Sequence, residues 1–235
     1  MERIRLWLLP GMMNTASVWE PIAAELADVA DTRIADLSWQ TSIAEMAQSV
    51  LAQQQERFAL AGFSMGGYVA QEILAQAPSR VSHLALLGTS MRPESPEQTA
   101  ARKTLLDAIQ ADFSALTHRL LKLNLHPAHD GDSVPAQAVR TMFGTLGPDV
   151  CARQLRSIMS RRDTREALLA AQIPVAVICG REDRVVPPAL SEEIAAQLPG
   201  ASLTWIEQAG HMAPLEQPSA VASALREWLR KRGAA

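Results

Sequence analysis

The sequence predicts an α/β fold in which six strands form a doubly wound, mainly parallel sheet, with a helical segment inserted after the fourth strand. Two observations lead to this prediction. Short apolar runs alternate with segments of helical periodicity up to about residue 90, and the same alternation returns at residue 174. Strands joined by helical crossovers run parallel, and their helices cover both faces of the sheet. Between these regions, residues 91 to about 172 contain no convincing strand.

Each apolar run has the length of a buried strand, and the segments after the runs carry apolar residues three and four positions apart. Val18, Ile22 and Leu26 make such a face in the first helix, and Pro188 begins the helix after the fifth strand. The predicted strands are 3–9, 32–37, 58–62, 82–88, 174–180 and 201–207. The helices predicted between and after them are 17–29, 43–55, one from residue 67, 188–198 and 220–232.

The middle of the chain is predicted to be helical. Its segments are 97–110, 112–123, 135–143 and 148–161, with breaks at 126–127, 144–148 and 162–163. The predicted organisation is therefore a core made of residues 1–90 and 173–235, with residues 91–172 inserted into it.

Composition narrows the classes of function. With 235 residues and 48% apolar residues, the chain is long enough for one domain with an insertion. A formal charge of -3 gives no reason to expect binding to nucleic acid or to an anionic membrane surface. The N-terminal residues MERIRLWLLPGMM do not resemble a signal peptide, because the apolar stretch is short and Arg5 interrupts it. We therefore expect a soluble, cytoplasmic protein, with Cys151 and Cys179 as free thiols.

Residues 62–66, GFSMG, fit the pattern G-x-S-x-G between an apolar run and a helical period. A serine hydroxyl is a weak nucleophile until a base takes its proton, and a sharp strand-to-helix turn exposes Ser64 to such a base. Gly62 and Gly66 permit the close backbone approach that this turn needs. The following helix directs its free N–H groups at the same place, so the N–H of Met65 is a candidate oxyanion donor.

The segment GFSMGGYVA resembles the nucleophile turn of the α/β-hydrolase superfamily, in particular its small esterase, lactonase and perhydrolase-like members. The resemblance covers nearly the whole chain apart from the middle third. It implies an α/β-hydrolase fold that lacks the N-terminal hairpin, with residues 91–172 as a helical lid. It also implies a catalytic acid and then a histidine downstream of Ser64. PVAVICGREDR supplies Asp183, with Glu182 as the competing acid, and QAGHMAPL supplies His211.

The first strand is followed by Pro10-Gly11-Met12. In the family this loop usually reads His-Gly, and the next backbone N–H completes the oxyanion hole. The resemblance therefore implies Met12 as the second donor, although Pro10 stands where the histidine is usual. A backbone N–H does not depend on the side chain, so the departure is compatible with the role.

Several further residues are candidates for contacts with a substrate. They are Met13, Trp39, Met91, Arg161 and Met212, which flank the predicted loops or the end of the insertion. The cluster Arg161, Arg162 and Arg165 could bind a carboxylate, or could be a solvated helix end. The segment 126–130, HPAHD, has histidines but no third ligand at supportive spacing, so no metal site is predicted. His83 and His118 are expected to be structural.

These residues predict a serine hydrolase of the carboxylesterase or lactonase type that needs no cofactor. It would cleave a small carboxylic ester, lactone or thioester through an acyl-enzyme. Two alternatives remain open from the sequence. The same triad could serve a C–C hydrolase, lyase or synthase acting on a carboxylate substrate, or the chain could be a non-catalytic small-molecule receptor. The expected partner is a small molecule, with no nucleic acid or membrane, and the sequence does not decide between a monomer and a homodimer.

Overall fold

The structure, a computed structural model, describes residues 3–129 and 131–231. Six parallel strands form one sheet in the order β2-β1-β3-β4-β5-β6. The strands are β1 (Ile4–Leu9), β2 (Ala30–Ile34), β3 (Phe58–Phe63), β4 (Val81–Leu87), β5 (Val175–Gly180) and β6 (Ser202–Ile206). The parallel, six-stranded prediction is confirmed, and within the described residues no antiparallel hairpin precedes β1.

Helices cover both faces of the sheet. They are α1 (Glu20–Glu25), α2 (Ile43–Gln53), α3 (Met65–Gln76), α4 (Pro96–Asn124), α5 (Val134–Met159), α6 (Arg165–Leu169), α7 (Pro188–Gln197), α8 (Ala213–Glu216) and α9 (Pro218–Leu229). Helices α1 and α9 pack in one hydrophobic cluster, around Trp19 and Trp228. Helices α2, α3 and α7 pack in the second cluster, on the opposite face. This is the doubly wound arrangement that the sequence predicts.

Some element boundaries differ from the prediction for physical reasons. β2 begins and ends earlier than predicted, because it pairs with β1 only from Ala30 to Ile34. The predicted strand ran to Leu37 because Leu37 is apolar. Leu37 is buried, but it lies beyond the end of β2. Pro21 lies in the first turn of α1, and a 3-10 turn at Ala16–Val18 precedes it, so the predicted helix 17–29 is shorter. The end of the last predicted helix, Arg232, lies outside the described residues.

We call the chain between β4 and β5, which contains α4, α5 and α6, the helical insertion. The four predicted helical segments correspond to the two halves of α4 and of α5. α4 breaks at Asp112, whose backbone is extended and whose Oδ1 accepts a hydrogen bond from Ala115 N at 2.9 Å. α5 breaks at Gly147, where φ is 71° and Pro148 follows. The short helix α6 was not predicted.

The strand order brings the loops that follow the strands to one edge of the sheet. β1 lies between β2 and β3, so the chain reverses its direction of winding there. In open parallel sheets, ligands bind beyond the carboxyl ends of the strands near such a reversal. The loops after β1, β3, β4, β5 and β6 all open onto this edge. Ser64, Asp183 and His211 lie on three of them.

Candidate active site

Ser64 lies in a strained turn between β3 and α3. Its φ is 52° and its ψ is -114°, a conformation that L-residues seldom adopt. The backbone is held on both sides, because Ser64 N donates to Leu87 O at 2.8 Å and Thr89 Oγ1 donates to Ser64 O at 2.9 Å. The hydroxyl does not cap α3. It contacts His211 instead.

The glycines beside Ser64 are required by close backbone packing. A Cβ on Gly62 would lie 2.3 Å from Gly66 O, and a Cβ on Gly66 would lie 2.1 Å from Leu9 O. Both distances are far below normal contact, and the neighbouring atoms are backbone atoms that cannot move aside. The sequence therefore folds sharply here because only glycine fits next to the serine.

A chain of hydrogen bonds connects three side chains from separate loops. His211 Nε2 lies 3.0 Å from Ser64 Oγ, and His211 Nδ1 lies 2.8 Å from Asp183 Oδ2. Asp183 and His211 are each 4% exposed. The other carboxylate oxygen, Asp183 Oδ1, accepts from the N–H groups of Val185 and Val186, both at 2.8 Å. The carboxylate is thus fully hydrogen-bonded and fixed in orientation.

The competing acid, Glu182, has a different position. Its Oε2 accepts from Ala209 N at 3.2 Å, and its own N–H donates to Ala209 O at 3.1 Å. Glu182 therefore braces the backbone that leads to His211, and Asp183 is the residue that contacts the imidazole.

The loop of His211 is tied to the helical insertion. Met212 N donates to Asn124 O at 3.1 Å, and Gly210 N donates to Glu216 Oε1 at 2.8 Å. Glu216 Oε2 also accepts from His126 N at 2.7 Å. Phe63 packs against the imidazole, with ring centroids 5.1 Å apart. These contacts restrict both the position and the tilt of the His211 ring.

Of the two predicted oxyanion donors, Met65 directly follows Ser64 at the start of α3, and Met12 lies on the loop after β1. Met12 and Met65 both line the cavity next to its hydroxyl. In the described part of the chain, neither backbone N–H has an acceptor. The loop of Met12 is held by its neighbour Met13, which has φ 59° and donates from its N–H to Gln154 Oε1 at 2.8 Å. The arrangement can therefore present two N–H groups to a developing oxyanion.

Gln154 is one of the site residues that the sequence did not suggest. It lies in α5, is 1% exposed, and its Nε2 donates to Leu37 O at 3.1 Å. It thereby joins the loop after β1, the chain beyond β2 and the helical insertion. No motif marks it, because a buried glutamine in a helix has no sequence signature.

The cavity above Ser64 has a volume of about 230 Å³. Its walls come from the core and from the helical insertion, and they are mainly apolar. The apolar lining includes Phe63, Leu105, Leu120, Phe143, Ile158 and Met212. The polar lining includes Asn14, Tyr68, Ser90, Gln98 and Arg102, which the sequence did not suggest either. Such a cavity suits a small, largely apolar ligand with at least one polar group.

The structure brings only some of the predicted substrate contacts together. Met13 and Met212 line the Ser64 cavity. Met91 and Arg161 line a small neighbouring pocket that shares Tyr68 and Ser90 with the Ser64 cavity. Trp39 is 77% exposed on another surface pocket, where its Nε1 donates to Asp36 Oδ2 at 3.0 Å. The five substrate contacts stay predictions, with Met13 and Met212 in the lining of the Ser64 cavity and the other three outside it.

The arginine cluster does not act as one unit. The Arg161 side chain is 5% exposed and makes an ion pair with Glu94, with its guanidinium 4.2 Å from the centroid of the Tyr68 ring. Arg162 pairs with Glu72 at 2.8 Å, and that hydrogen bond raises the pKa of Arg162. Arg165 pairs with Asp163 on the surface. Each of the three arginines thus has a carboxylate partner outside the Ser64 cavity.

The remaining histidines have ordinary structural contacts. His129 Nδ1 lies 2.8 Å from Glu216 Oε2, and His126 Nδ1 accepts from Ala128 N at 3.1 Å. Asp130 lies outside the described residues. His83 Nε2 lies 2.8 Å from Lys231 O, and burial lowers the pKa of His83. Among residues 3–129 and 131–231, no group of three or more His, Cys, Asp or Glu side chains could hold a metal ion.

Both cysteines are buried and free. Burial raises the pKa of the Cys151 thiol to about 11. The pKa of the Cys179 thiol is also raised to about 11, and burial is the largest cause. The helices of the described residues include none that is long and apolar enough to cross a membrane.

Comparison with known proteins agrees with this fold. The family model described as "Alpha/beta hydrolase family" matches residues 8–224. A pimeloyl-[acyl-carrier protein] methyl ester esterase from Aliivibrio salmonicida is 27% identical over 220 residues, covering 88% of this chain and 84% of the relative. Two solved structures have the same fold at lower identity. They are a thermophilic esterase from Thermogutta terrifontis with malate bound (TM-score 0.88, 24% identity, 98% and 91% coverage) and an enol-lactonase from Burkholderia xenovorans (TM-score 0.86, 21% identity, 98% and 93% coverage).

The family match spans the loops of Met12, Ser64, Asp183 and His211 and all six strands, so it includes every element that positions the site. This chain belongs to the alpha/beta hydrolase family.

Proposed function

We propose that this protein is a serine esterase that cleaves a small carboxylic ester through an acyl-enzyme. The observation that carries the proposal is the continuous chain Asp183–His211–Ser64, with contacts of 2.8 and 3.0 Å, opening onto a mainly apolar cavity. The relative from Aliivibrio salmonicida is named as a methyl ester esterase, which supports ester hydrolysis as the reaction class.

In the acylation step, Ser64 Oγ attacks the ester carbonyl carbon while its proton passes to His211 Nε2. Asp183 holds Nδ1 as a donor, so that Nε2 is free to accept the proton, and stabilises the imidazolium that forms. The N–H groups of Met12 and Met65 stabilise the oxyanion. When the tetrahedral intermediate collapses, the C–O bond to the alcohol breaks and His211 protonates the departing alkoxide.

Deacylation repeats these roles with water. His211 Nε2 takes a proton from water, the hydroxide attacks the acyl carbon, and the C–O bond to Ser64 breaks as His211 returns the proton to Ser64 Oγ. The products are a carboxylic acid and a regenerated serine. No step in this sequence requires a cofactor.

The helical insertion acts as the lid of this site. Leu105 and Leu120 of α4 and Phe143 and Ile158 of α5 line the cavity over Ser64. Excluding bulk water strengthens the electrostatic interactions between the oxyanion donors and the negative charge that develops on the substrate oxygen. Residues 91–172 would then set the choice of substrate, while the core supplies the chemistry.

The proposal is tested by labelling with a fluorophosphonate probe, followed by intact-mass measurement and hydrolysis of a panel of short methyl and p-nitrophenyl esters. We expect one adduct on Ser64 in the wild type and none in Ser64→Ala. His211→Ala should label slowly and hydrolyse esters several powers of ten more slowly. Folded wild-type protein that neither labels nor hydrolyses any ester would refute the proposal and favour a receptor. Turnover of a C–C substrate in place of esters would favour the other alternative.

A further inference from the structure

The charged residues around Arg102, which lines the Ser64 cavity, are unequally paired. The side chain of Glu94 is 6% exposed. Its Oε1 accepts from Arg102 Nε at 2.8 Å, and its Oε2 accepts from Arg161 Nη1. One negative charge is thus shared between two guanidinium groups, which leaves one positive charge in excess.

The neighbouring ion pairs do not cancel this excess. Arg92 pairs with Glu193 at 2.7 Å, and Arg162 pairs with Glu72 at 2.8 Å. Each of these carboxylates is engaged by one arginine. Among the described residues that line the Ser64 cavity, none is an aspartate or a glutamate. The excess charge is therefore uncompensated on the side that faces the cavity.

The two arginines that share Glu94 differ in their remaining contacts. Arg161 is 5% exposed, its Nη1 also donates to Ile158 O at 2.9 Å, and its Nη2 donates to Arg92 O at 3.2 Å. Arg102 is 21% exposed and lines the cavity. Within the described residues, its hydrogen-bond partner is Glu94, bound through Nε, and both terminal nitrogens are left without an acceptor.

A guanidinium held by Nε presents its terminal N–H groups outward in a fixed plane. That geometry matches a carboxylate, which can accept two parallel hydrogen bonds. Gln98 lies one turn before Arg102 on the same helix and Leu105 about one turn after it, and both line the same cavity. The lining thus combines a cationic group, apolar side chains and the Ser64 hydroxyl.

We propose that the substrate is an ester that carries a carboxylate at the end remote from the scissile bond, and that Arg102 binds this carboxylate. This inference rests on the proposed function and names the class of its substrate. Arg102 is then a residue that determines specificity and takes no part in the chemistry. Arg161 keeps Glu94 in place, so that Glu94 orients Arg102 without neutralising it fully.

The test compares monomethyl and dimethyl esters of a dicarboxylic acid series from succinate to adipate, measured by methanol release. The two esters of each acid have the same leaving group and differ in one negative charge. We expect the wild type to have a higher kcat/KM for the monoester of at least one acid. In Arg102→Gln the monoester-to-diester ratio should fall by about tenfold or more, mainly through KM.

Two variants separate charge recognition from loss of structure. Arg102→Lys keeps the charge and should retain part of the preference, although an ammonium group loses the bidentate geometry. Arg119→Gln removes the same charge from an exposed position of α4 and should leave the ratio unchanged. A ratio that Arg102→Gln does not change, in a folded enzyme whose activity depends on Ser64, would overturn the inference while the proposed function stands.

A binding measurement distinguishes failure of the proposed anion site from failure of the proposed esterase function. In Ser64→Ala protein, calorimetric titration should show tighter binding of the monomethyl ester than of the dimethyl ester, and the additional substitution Arg102→Gln should remove the difference. If the wild type hydrolysed no ester but this difference were present, the proposed function would fail and the anion site would remain. Equal binding of both esters in the two proteins would reject the anion site.

Discussion

Replacing Asp183 by Asn changes one atom of the candidate site and tests how the hydrogen bonds around it are arranged. Asp183 Oδ1 accepts two backbone N–H groups at 2.8 Å, and Oδ2 faces His211 Nδ1 at 2.8 Å. In the variant the amide oxygen stays on the two N–H donors, because a reversed amide would leave both N–H groups facing another donor. The new NH2 group then faces His211 Nδ1.

This arrangement reverses the imidazole tautomer. Nδ1 must accept from the NH2 group, so the ring proton moves to Nε2, which then donates to Ser64 Oγ and cannot take its proton. The oxyanion donors and the cavity are unchanged. We therefore expect kcat to fall by about 10⁴-fold, the size typical of a wrong tautomer in such a triad. At about 1.36 kcal/mol per tenfold, this is roughly 5.5 kcal/mol of transition-state stabilisation.

The assay is the initial rate of p-nitrophenyl ester hydrolysis, with thermal unfolding to show that the variant is folded. Glu182→Gln is the matched control, because it removes the adjacent carboxylate while its amide oxygen can still accept from Ala209 N. We expect the control to keep its rate within about threefold, since backbone bracing is preserved. An Asp183→Asn enzyme within tenfold of the wild type, or a Glu182→Gln enzyme equally impaired, would refute the assignment of the acid.

Three further results are expected. Gln154→Leu leaves a buried N–H and a buried carbonyl unpaired, so it should lower the free energy of unfolding in urea by about 2–4 kcal/mol and reduce kcat; unchanged values would contradict its bridging role. Gly66→Ala should prevent a stable fold, because the new Cβ would overlap backbone atoms. Gly144→Ala has open space around its Cβ, so it should raise the free energy of unfolding by about 0.4–1 kcal/mol and with it the melting temperature. Cys151 and Cys179 should react with a disulfide reagent at pH 8 only after denaturation, because burial raises both thiol pKa values to about 11.

Much of the fold could be predicted because the sequence patterns that mark its strands and helices are local. A buried parallel strand is a short apolar run, and the break predicted at 144–148 contains the kink of α5, whereas the kink of α4 lies at the junction of two separately predicted helical segments. Gly147 adopts a positive φ and Asp112 an extended backbone at the two kinks. The strand boundaries were less predictable. Leu37 is apolar and buried but lies beyond the last pairing of β2, and sequence does not distinguish a strand residue from a buried loop residue.

The sequence by itself determined the order of the six strands and the longer helices, the glycine-flanked turn of Ser64 and the candidates Asp183 and His211. Each of these lies in a short segment with its own chemical pattern. Only the tertiary structure decided which side chains share a cavity. Trp39 and Arg161 lie outside the lining of the Ser64 cavity and Arg102 lies within it, while Gln154 contacts the loop after β1 through Met13. These positions depend on how the helical insertion packs over the sheet. That packing joins residues far apart in the chain, as in the bond between Gln154 and Met13, and no local pattern records such a contact.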